Sequence, residues 1–334
     1  MKREINKIAI VRLSALGDIV NSAVVLQFID AHFKNVQITW ITEEAFAPLL
    51  QTHPLINQVH TINLKRAKKE RSLSQLKEII KGLKSLGKFD IIIDMQGLLK
   101  SALVARFIGK STHGFDKKSS REGISSLFYK TTSNIEYTQN IVKRNCFVVA
   151  DGLDFEISDT MLLSKKAIFP FEKLPKKSTN IKEVAIVIGA SWESKIYPKE
   201  RVAELINALK ECSVSLIWGS EREKNDAQWI VQNSQNSSLA PKLSLNELIS
   251  FISNMDLVIG NDTGPTHMAW AQNIPSITLF GPTTTRMIYE TPKNIGIESS
   301  SHVDINKIDK NDFSIKDIEL SKILLSVEEL LYGV

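Results

Sequence analysis

Short apolar runs recur along the chain, and several end in glycine. In the first half they are KIAIV (7–11), VQITWI (36–41), VHTIN (59–63) and FDIIID (89–94). In the second half they are EVAIVIG (183–189), VSLIWG (214–219), DLVIG (256–260) and PSITLFG (275–281). Such near-continuous runs predict parallel strands covered on both faces. Between them lie segments of helical period, including 19–33 and 73–86. The second of these carries Leu73, Leu76, Ile79, Ile80, Leu83 and Leu86 as one stripe. Strands alternating with helices predict an α/β fold, and the pattern implies two Rossmann-like domains with parallel sheets and an interdomain cleft. The Pro/Lys/Ser/Thr-rich stretch FPFEKLPKKSTN (169–180) reads as a linker. The expected division is a first domain over 1–172, a second over 181–312, and a terminal helix within 313–334 that packs back on the first domain.

Length agrees with two cores, since 334 residues exceed one ordinary domain. A hydrophobic fraction of 43% with 24% charged residues is the balance of a folded globular chain. No run approaches the ~20 apolar residues that span a bilayer. The start MKREINKIAIVRL lacks the layout of a signal peptide, so a cytoplasmic protein is expected. Cys146 and Cys212 then read as reduced core thiols. Charge is uneven. Residues 1–178 hold 28 Lys and Arg against 17 Asp and Glu, whereas 179–334 hold 14 against 20. The basic half is expected to meet something anionic, a nucleic acid or an acidic membrane surface.

The sequence contains no GxGxxG, no GxxxxGK[ST], no Asp-x-Asp and no GxSxG, which removes the main support for dinucleotide, P-loop and serine-hydrolase chemistry. Its six histidines are scattered, so no metal is expected. Candidates lie instead in strand-end loops. In GNDTGPTHMAW (260–270) a helix start near Pro265, with the Thr263 and Thr266 hydroxyls, suits phosphate oxygens, and Gly264 admits close approach. Asp262 and His267 complete that loop, although Asp262 or Thr263 also fits a helix cap. In GASWESKIYPKERV (189–202), Ser191 and Lys195 suit a phosphate; a surface lysine beside a helix start is the plainer alternative. In WGSEREK (218–224), Glu221 suits ribose hydroxyls or, equally, the positive end of a helix. In VRLSALGD (11–18) a carboxylate, Asp18, occupies a strand–helix junction where an anion site would be expected. As a cap it would begin a helix at Ile19.

Taken together and in order, VRLSALGDIV, DMQGLLKSAL (94–103), WGSEREK, GNDTGPTHMA and LFGPT (279–283) resemble the ADP-heptose glycosyltransferases of lipopolysaccharide core synthesis. The resemblance implies the GT-B fold, two facing Rossmann-like domains, and inverting sugar transfer without metal or cofactor. It implies transfer of L-glycero-D-manno-heptose from ADP-heptose to the Kdo of Kdo–lipid A. By the resemblance Asp18 is the catalytic base and Lys195 the partner of the donor phosphates. Ser191 joins Lys195, Glu221 is the ribose acid, and Asp262, Thr263, Gly264 and His267 form the donor loop. Arg121 falls on the acceptor side, where Lys65 and Arg66 of the presumed loop LKRAKKER (64–71) are expected to grip anionic groups.

The chemistry explains why one carboxylate suffices. An attacking hydroxyl needs a base, whereas a nucleoside diphosphate leaves as a stable anion and needs electrostatic stabilisation more than a proton. Partners are then the donor, the lipid acceptor and the cytoplasmic face of the inner membrane. Two other readings follow from the same residues: a related ADP-sugar transferase acting later in the core, and a non-catalytic nucleotide- or nucleic-acid-binding protein. Against nucleic acid, aromatic residues make up 7% of the chain and none interleaves with KRAKKER.

Overall fold

The computed structural model describes residues 4–175 and 180–333. The chain divides into two compact units, Met1–Ile168 and Phe169–Val334. The division falls slightly before the expected end of the first domain at 172. Residues 176–179 of the expected linker lie outside the described residues.

The first unit is built on six strands: β1 (Lys7–Val11), β2 (Gln37–Glu43), β3 (Gln58–Ile62), β4 (Ile91–Asp94), β5 (Thr112–Phe115) and β6 (Thr131–Ser133). They form one parallel sheet in the order β3-β2-β1-β4-β5-β6, with Ile10 level with Trp40 on one side and Ile93 on the other. Ile8, Ile10, Val11 and Ile93 are fully buried, as apolar runs covered on both faces require. The second unit holds β7 (Lys182–Val187), β8 (Cys212–Ile217), β9 (Ser237–Leu239), β10 (Leu257–Asn261), β11 (Ser276–Phe280) and β12 (Asn294–Glu298). Their order, β12-β11-β10-β7-β8-β9, repeats the topology of the first sheet. In each sheet the order reverses beside the opening strand, between β1 and β4 and between β7 and β10. Ligands of open α/β sheets collect at such switch points, outside the carboxyl ends of the strands.

Four expectations need correction. The expected helix over 19–33 is two helices, Leu16–Ser22 and Val25–His32. The Ser22 hydroxyl donates to the Asp18 carbonyl at 2.6 Å, a back-bond that competes with the helical ladder near the break. The start at Leu16 also places Asp18 inside the first turn rather than at the cap. LKRAKKER is no loop, because Leu64–Lys69 is a helix capped by the Asn63 side chain on the Arg66 N–H. The stripe of helix Leu73–Lys84 is buried at Leu83, while Leu73 and Leu76 face solvent. The terminal helix, Leu320–Tyr332, packs within the second unit. Ile323 and Val327 join Ile315 and Ile318 in a core with Val184, Ile259 and Leu279. Its apolar face is thereby satisfied. Cys146 and Cys212 are buried and unbridged. Among the described residues no helix is long and apolar enough to cross a membrane.

Candidate functional site

At the first switch point β1 runs directly into Arg12, and the next helix begins at Leu16. Asp18, in its first turn, reaches back so that Oδ2 accepts the Ala15 N–H at 3.1 Å. Its Oδ1 lies 2.7 Å from Nη2 of Arg12. Each carboxylate oxygen has a second lone pair, and the side chain keeps 27% of its exposure. The group is thus held at both oxygens and still open to a further donor. Arg12 is itself buried, with Nη1 donating to the Met95 carbonyl at 2.5 Å. The loop after β4 is tied to this arrangement. Gln96 Oε1 accepts the Leu13 N–H at 3.0 Å, and Asp94 Oδ1 accepts the N–H groups of Gln96 and Gly97. Burial pushes the Asp94 carboxyl up, against the hydrogen bonds from Tyr129, Ser101 and that loop.

At the second switch point the loops after β7 and β10 bring charge together in a buried place. Lys195, 8% exposed, donates from Nζ to Asp262 Oδ2 at 2.5 Å. The same carboxylate accepts the Thr283 hydroxyl at 2.8 Å, and its Oδ1 lies 3.1 Å from His267 Nε2. Burial alone would raise Asp262, but the Lys195 ammonium and the His267 ring hold its carboxyl well below the usual carboxylate range. Asn261 fixes the two loops against each other. Its Oδ1 accepts the Tyr197 N–H at 3.0 Å, and its Nδ2 donates to the carbonyls of Ile188 and Gly189. Gly260 has a steric reason: a Cβ there would stand 2.5 Å from Thr266 Oγ1 and 2.7 Å from Val187 Cβ.

The helix Gly264–Ala271 opens at Thr263, with Pro265 in its first turn, as the sequence suggests. Thr263 makes no capping bond through its side chain. The Thr266 hydroxyl is turned away to the Asn261 carbonyl at 2.8 Å, so the phosphate contact expected of it is not formed by this rotamer. Gly264 is buried beside Thr263.

The structure separates the remaining candidates. Ser191 is exposed and lines a cavity of about 410 Å³ with Ser220, Arg222, Glu223 and Asp226. Glu221 stands 74% exposed, 3.9 Å from Lys224. The glutamate engaged at this strand end is Glu223, which accepts the Gly219 and Ser220 N–H groups at 2.6 and 3.1 Å. A Cβ at Gly189 would meet its carboxyl carbon at 2.4 Å. Lys65, with Lys100, bears electrostatically on the buried Glu43 at the end of β2, where burial still wins and raises the carboxyl. Arg66 is committed to Glu70 at 2.9 Å, and Arg121 is exposed.

Sequence reasoning missed Arg12, Thr283 and Lys310. Arg12 stood in the stretch that drew attention to Asp18, and its place directly after a buried strand was the available signal. Thr283 lies in LFGPT, but its bond to Asp262 spans twenty-one positions and leaves no local trace. Lys310 Nζ sits 4.8 Å from the Trp192 ring centroid, while Lys195 Nζ is 5.5 Å from it. Among the described residues no group of three or more His, Cys, Asp or Glu is gathered as for a metal ion.

Two parallel sheets of the same order, each with charged side chains at its switch point, define an α/β protein of the doubly wound class. The chain belongs to glycosyltransferase family 9 (heptosyltransferase), whose model matches residues 76–313, and it is a glycosyltransferase. It is 39% identical to lipopolysaccharide heptosyltransferase 1 of Campylobacter coli, over 97% of this chain and 98% of that one. Among solved structures it is similar to E. coli heptosyltransferase WaaC with ADP, at a TM-score of 0.80 and 22% identity, covering 97% and 99% of the two chains. The same fold is seen in WaaC with ADP-2-deoxy-2-fluoro heptose, at a TM-score of 0.79, 22% identity and the same coverage. These structures have the GT-B fold, as the sequence led one to expect.

Proposed function

We propose that this protein transfers L-glycero-D-manno-heptose from ADP-heptose to the Kdo of Kdo–lipid A during lipopolysaccharide core synthesis, with inversion and without metal. The observation that carries the reading is the contrast between the two switch points. One offers a carboxylate held at both oxygens yet open, and the other a buried ammonium anchored on a carboxylate. The first suits a hydroxyl and repels a phosphate; the second suits a phosphate. Identity to the C. coli enzyme supports the sugar, and the ADP and ADP-sugar analogue in the E. coli structures support the nucleotide.

In this mechanism Asp18 takes the proton of the acceptor hydroxyl as its oxygen attacks the anomeric carbon from the face opposite ADP. The C–O bond to the diphosphate breaks, and the bonding pair leaves with ADP. Lys195 meets the charge that develops on the departing oxygens, with the free N–H groups at Thr263 and Gly264 and the Ser191 hydroxyl. Asp262 keeps the Lys195 ammonium in place, His267 and Thr283 keep Asp262 in place, and Glu221 takes the ribose. Lys65, Arg66 and Arg121 hold the anionic groups of the acceptor, which is met at the cytoplasmic face of the inner membrane.

Purified protein incubated with Kdo–lipid A and a panel of ADP-heptose, UDP- and GDP-sugars tests the assignment. ADP release and a heptosylated product of opposite anomeric configuration are expected with ADP-heptose alone, unchanged by EDTA. Loss of turnover in EDTA, retained configuration, or preference for an acceptor that already carries heptose would each replace part of the assignment.

A further inference from the structure

Between β5 and β6 the first unit carries a surface of which the mechanism proposed above uses Arg121 alone. Residues Gly123–Phe128 form a 3-10 helix, in which positions i and i+3 eclipse one another. One row points inward: Ser125 is fully buried, its hydroxyl donating to Ser120 Oγ at 3.2 Å, and Phe128 below it is half-buried. The next row points out. Ile124 is 57% exposed and Leu127 79%, so two large aliphatic side chains stack as one ridge in solvent.

The surroundings of the ridge are basic. Residues 99–130 hold seven Lys and Arg against two Asp and Glu. Lys117 lies directly against the turn, since a Cβ on Gly123 would stand 2.7 Å from its carbonyl oxygen and 3.1 Å from its Cγ. Lys117, Lys118, Arg121 and Lys130 are all exposed. Both acids are occupied with backbone: Asp116 accepts the Lys118 and Ser119 N–H groups, and Glu122 accepts that of Leu99 at 2.7 Å.

The mount is firm. Buried Arg144 donates to the carbonyls of Ser119, Ile135 and Glu136 at 2.6, 3.2 and 2.7 Å, with its guanidinium 4.6 Å from the Phe115 ring centroid. The mount also adjoins the first switch point, because Lys100, next to Leu99, reaches the Ser14 hydroxyl at 3.4 Å. Ser14 precedes Ala15, whose N–H is held by Asp18.

We propose that the Ile124–Leu127 ridge is a membrane-docking element that inserts among the headgroups of an anionic bilayer, with Lys117, Lys118 and Lys130 binding those headgroups around it. An aliphatic ridge gains by leaving water, and a basic rim gains near anionic lipid; together they give the two signals that reversible membrane attachment requires. Nucleic acid fits the rim but not the ridge, which offers no ring for bases to stack on. The element deepens the function proposed above, resting on its lipid acceptor: docking there would present a headgroup beside Asp18.

The test is co-sedimentation of the full chain with phosphatidylcholine vesicles, with and without phosphatidylglycerol. Binding is expected with phosphatidylglycerol, weakened by salt, and reduced about tenfold or more in the Ile124→Ser/Leu127→Ser double variant. Leu163→Ser, at a residue 58% exposed elsewhere in the unit, is expected to bind as the parent does. A melting curve of the double variant confirms that it folds. Parental vesicle binding by the double variant, or binding indifferent to phosphatidylglycerol, overturns the proposal; so does a duplex DNA that binds as tightly and displaces the vesicles. Turnover of a water-soluble, deacylated Kdo acceptor separates the two claims. The double variant is expected to retain it, whereas its absence in the parent protein counts against the transferase assignment and leaves the vesicle result standing.

Discussion

Arg12 Nη2 lies 2.7 Å from Asp18 Oδ1, and its other terminal nitrogen is held by the Met95 carbonyl. The guanidinium therefore links the loop after β4 to the carboxylate on the helix after β1. It fixes one oxygen while the Ala15 N–H fixes the other. With Asp18 as the proposed base, Arg12 is a positioning residue, and its loss should act on turnover more than on donor binding. We expect Arg12→Met to lower kcat about 10- to 100-fold with donor KM little changed. Steady-state kinetics on the folded variant check this; an unchanged kcat removes Arg12 from the mechanism.

Asp262 gathers three partners in a buried place, so breaking the group should cost stability as well as activity. Asp262→Asn leaves the Lys195 ammonium buried without its counter-charge, a loss of about 3–5 kcal/mol. Lys195→Met keeps the length of the side chain but removes the charge, and weaker binding of ADP is expected. Denaturant titration and ADP calorimetry on both variants separate the two effects. Equal affinity for ADP in Lys195→Met would remove the phosphate role.

Glu221 and Glu223 make a sharper pair of substitutions. Glu223 closes the capping box of helix Glu221–Gln232, and Glu223→Ala should cost about 1 kcal/mol of stability. On the ribose role proposed for Glu221, Glu221→Ala should leave stability unchanged and raise donor KM. Thermal melting and donor kinetics distinguish them; if donor KM moves only with Glu223, the ribose role belongs there.

The pH dependence of folding should show the buried histidines. Burial pulls His53 down from 6.5 to about 4, although the Ile168 backbone opposes this, and burial lowers His60 and His113 as well. The unfolded chain then takes up the His53 proton before the folded one does. Stability from neutral His53 is thus full above pH 6.5 and lost as pH falls towards 4, about 3 kcal/mol in all. Asp30, Lys165 and Lys166 are the charged side chains that line the same pocket. His53→Asn, which keeps an acceptor for the Leu55 N–H, should flatten part of this slope in urea titrations between about pH 7 and pH 5. An unaltered slope would assign the loss to other groups.

Much of the fold could be read in advance because parallel strands buried on both faces leave a plain signal. KIAIV coincides with β1, and DLVIG and PSITLFG differ from β10 and β11 by a residue at their ends. Element ends and partners were harder. A cap at Asp18 would start the helix at Ile19, whereas the helix starts at Leu16 and the Asp18 side chain closes back on the Ala15 N–H, a local bond that the residue types alone do not distinguish from a cap. The basic run 64–71 reads as a loop because its charge masks the helix that Asn63 caps. Thr283 and Lys310 meet Asp262 and Trp192 only after folding, so nothing local marks them.

The most direct measurement is single-turnover sugar transfer by Asp18→Asn beside the parent, with ADP-heptose and Kdo–lipid A both saturating. Asparagine can still accept the Ala15 N–H but cannot take up the hydroxyl proton. A rate lower by about two to four orders of magnitude is expected, with ADP affinity and melting temperature close to the parent's. A rate within a fewfold of the parent would contradict it and leave the carboxylate a structural task alone.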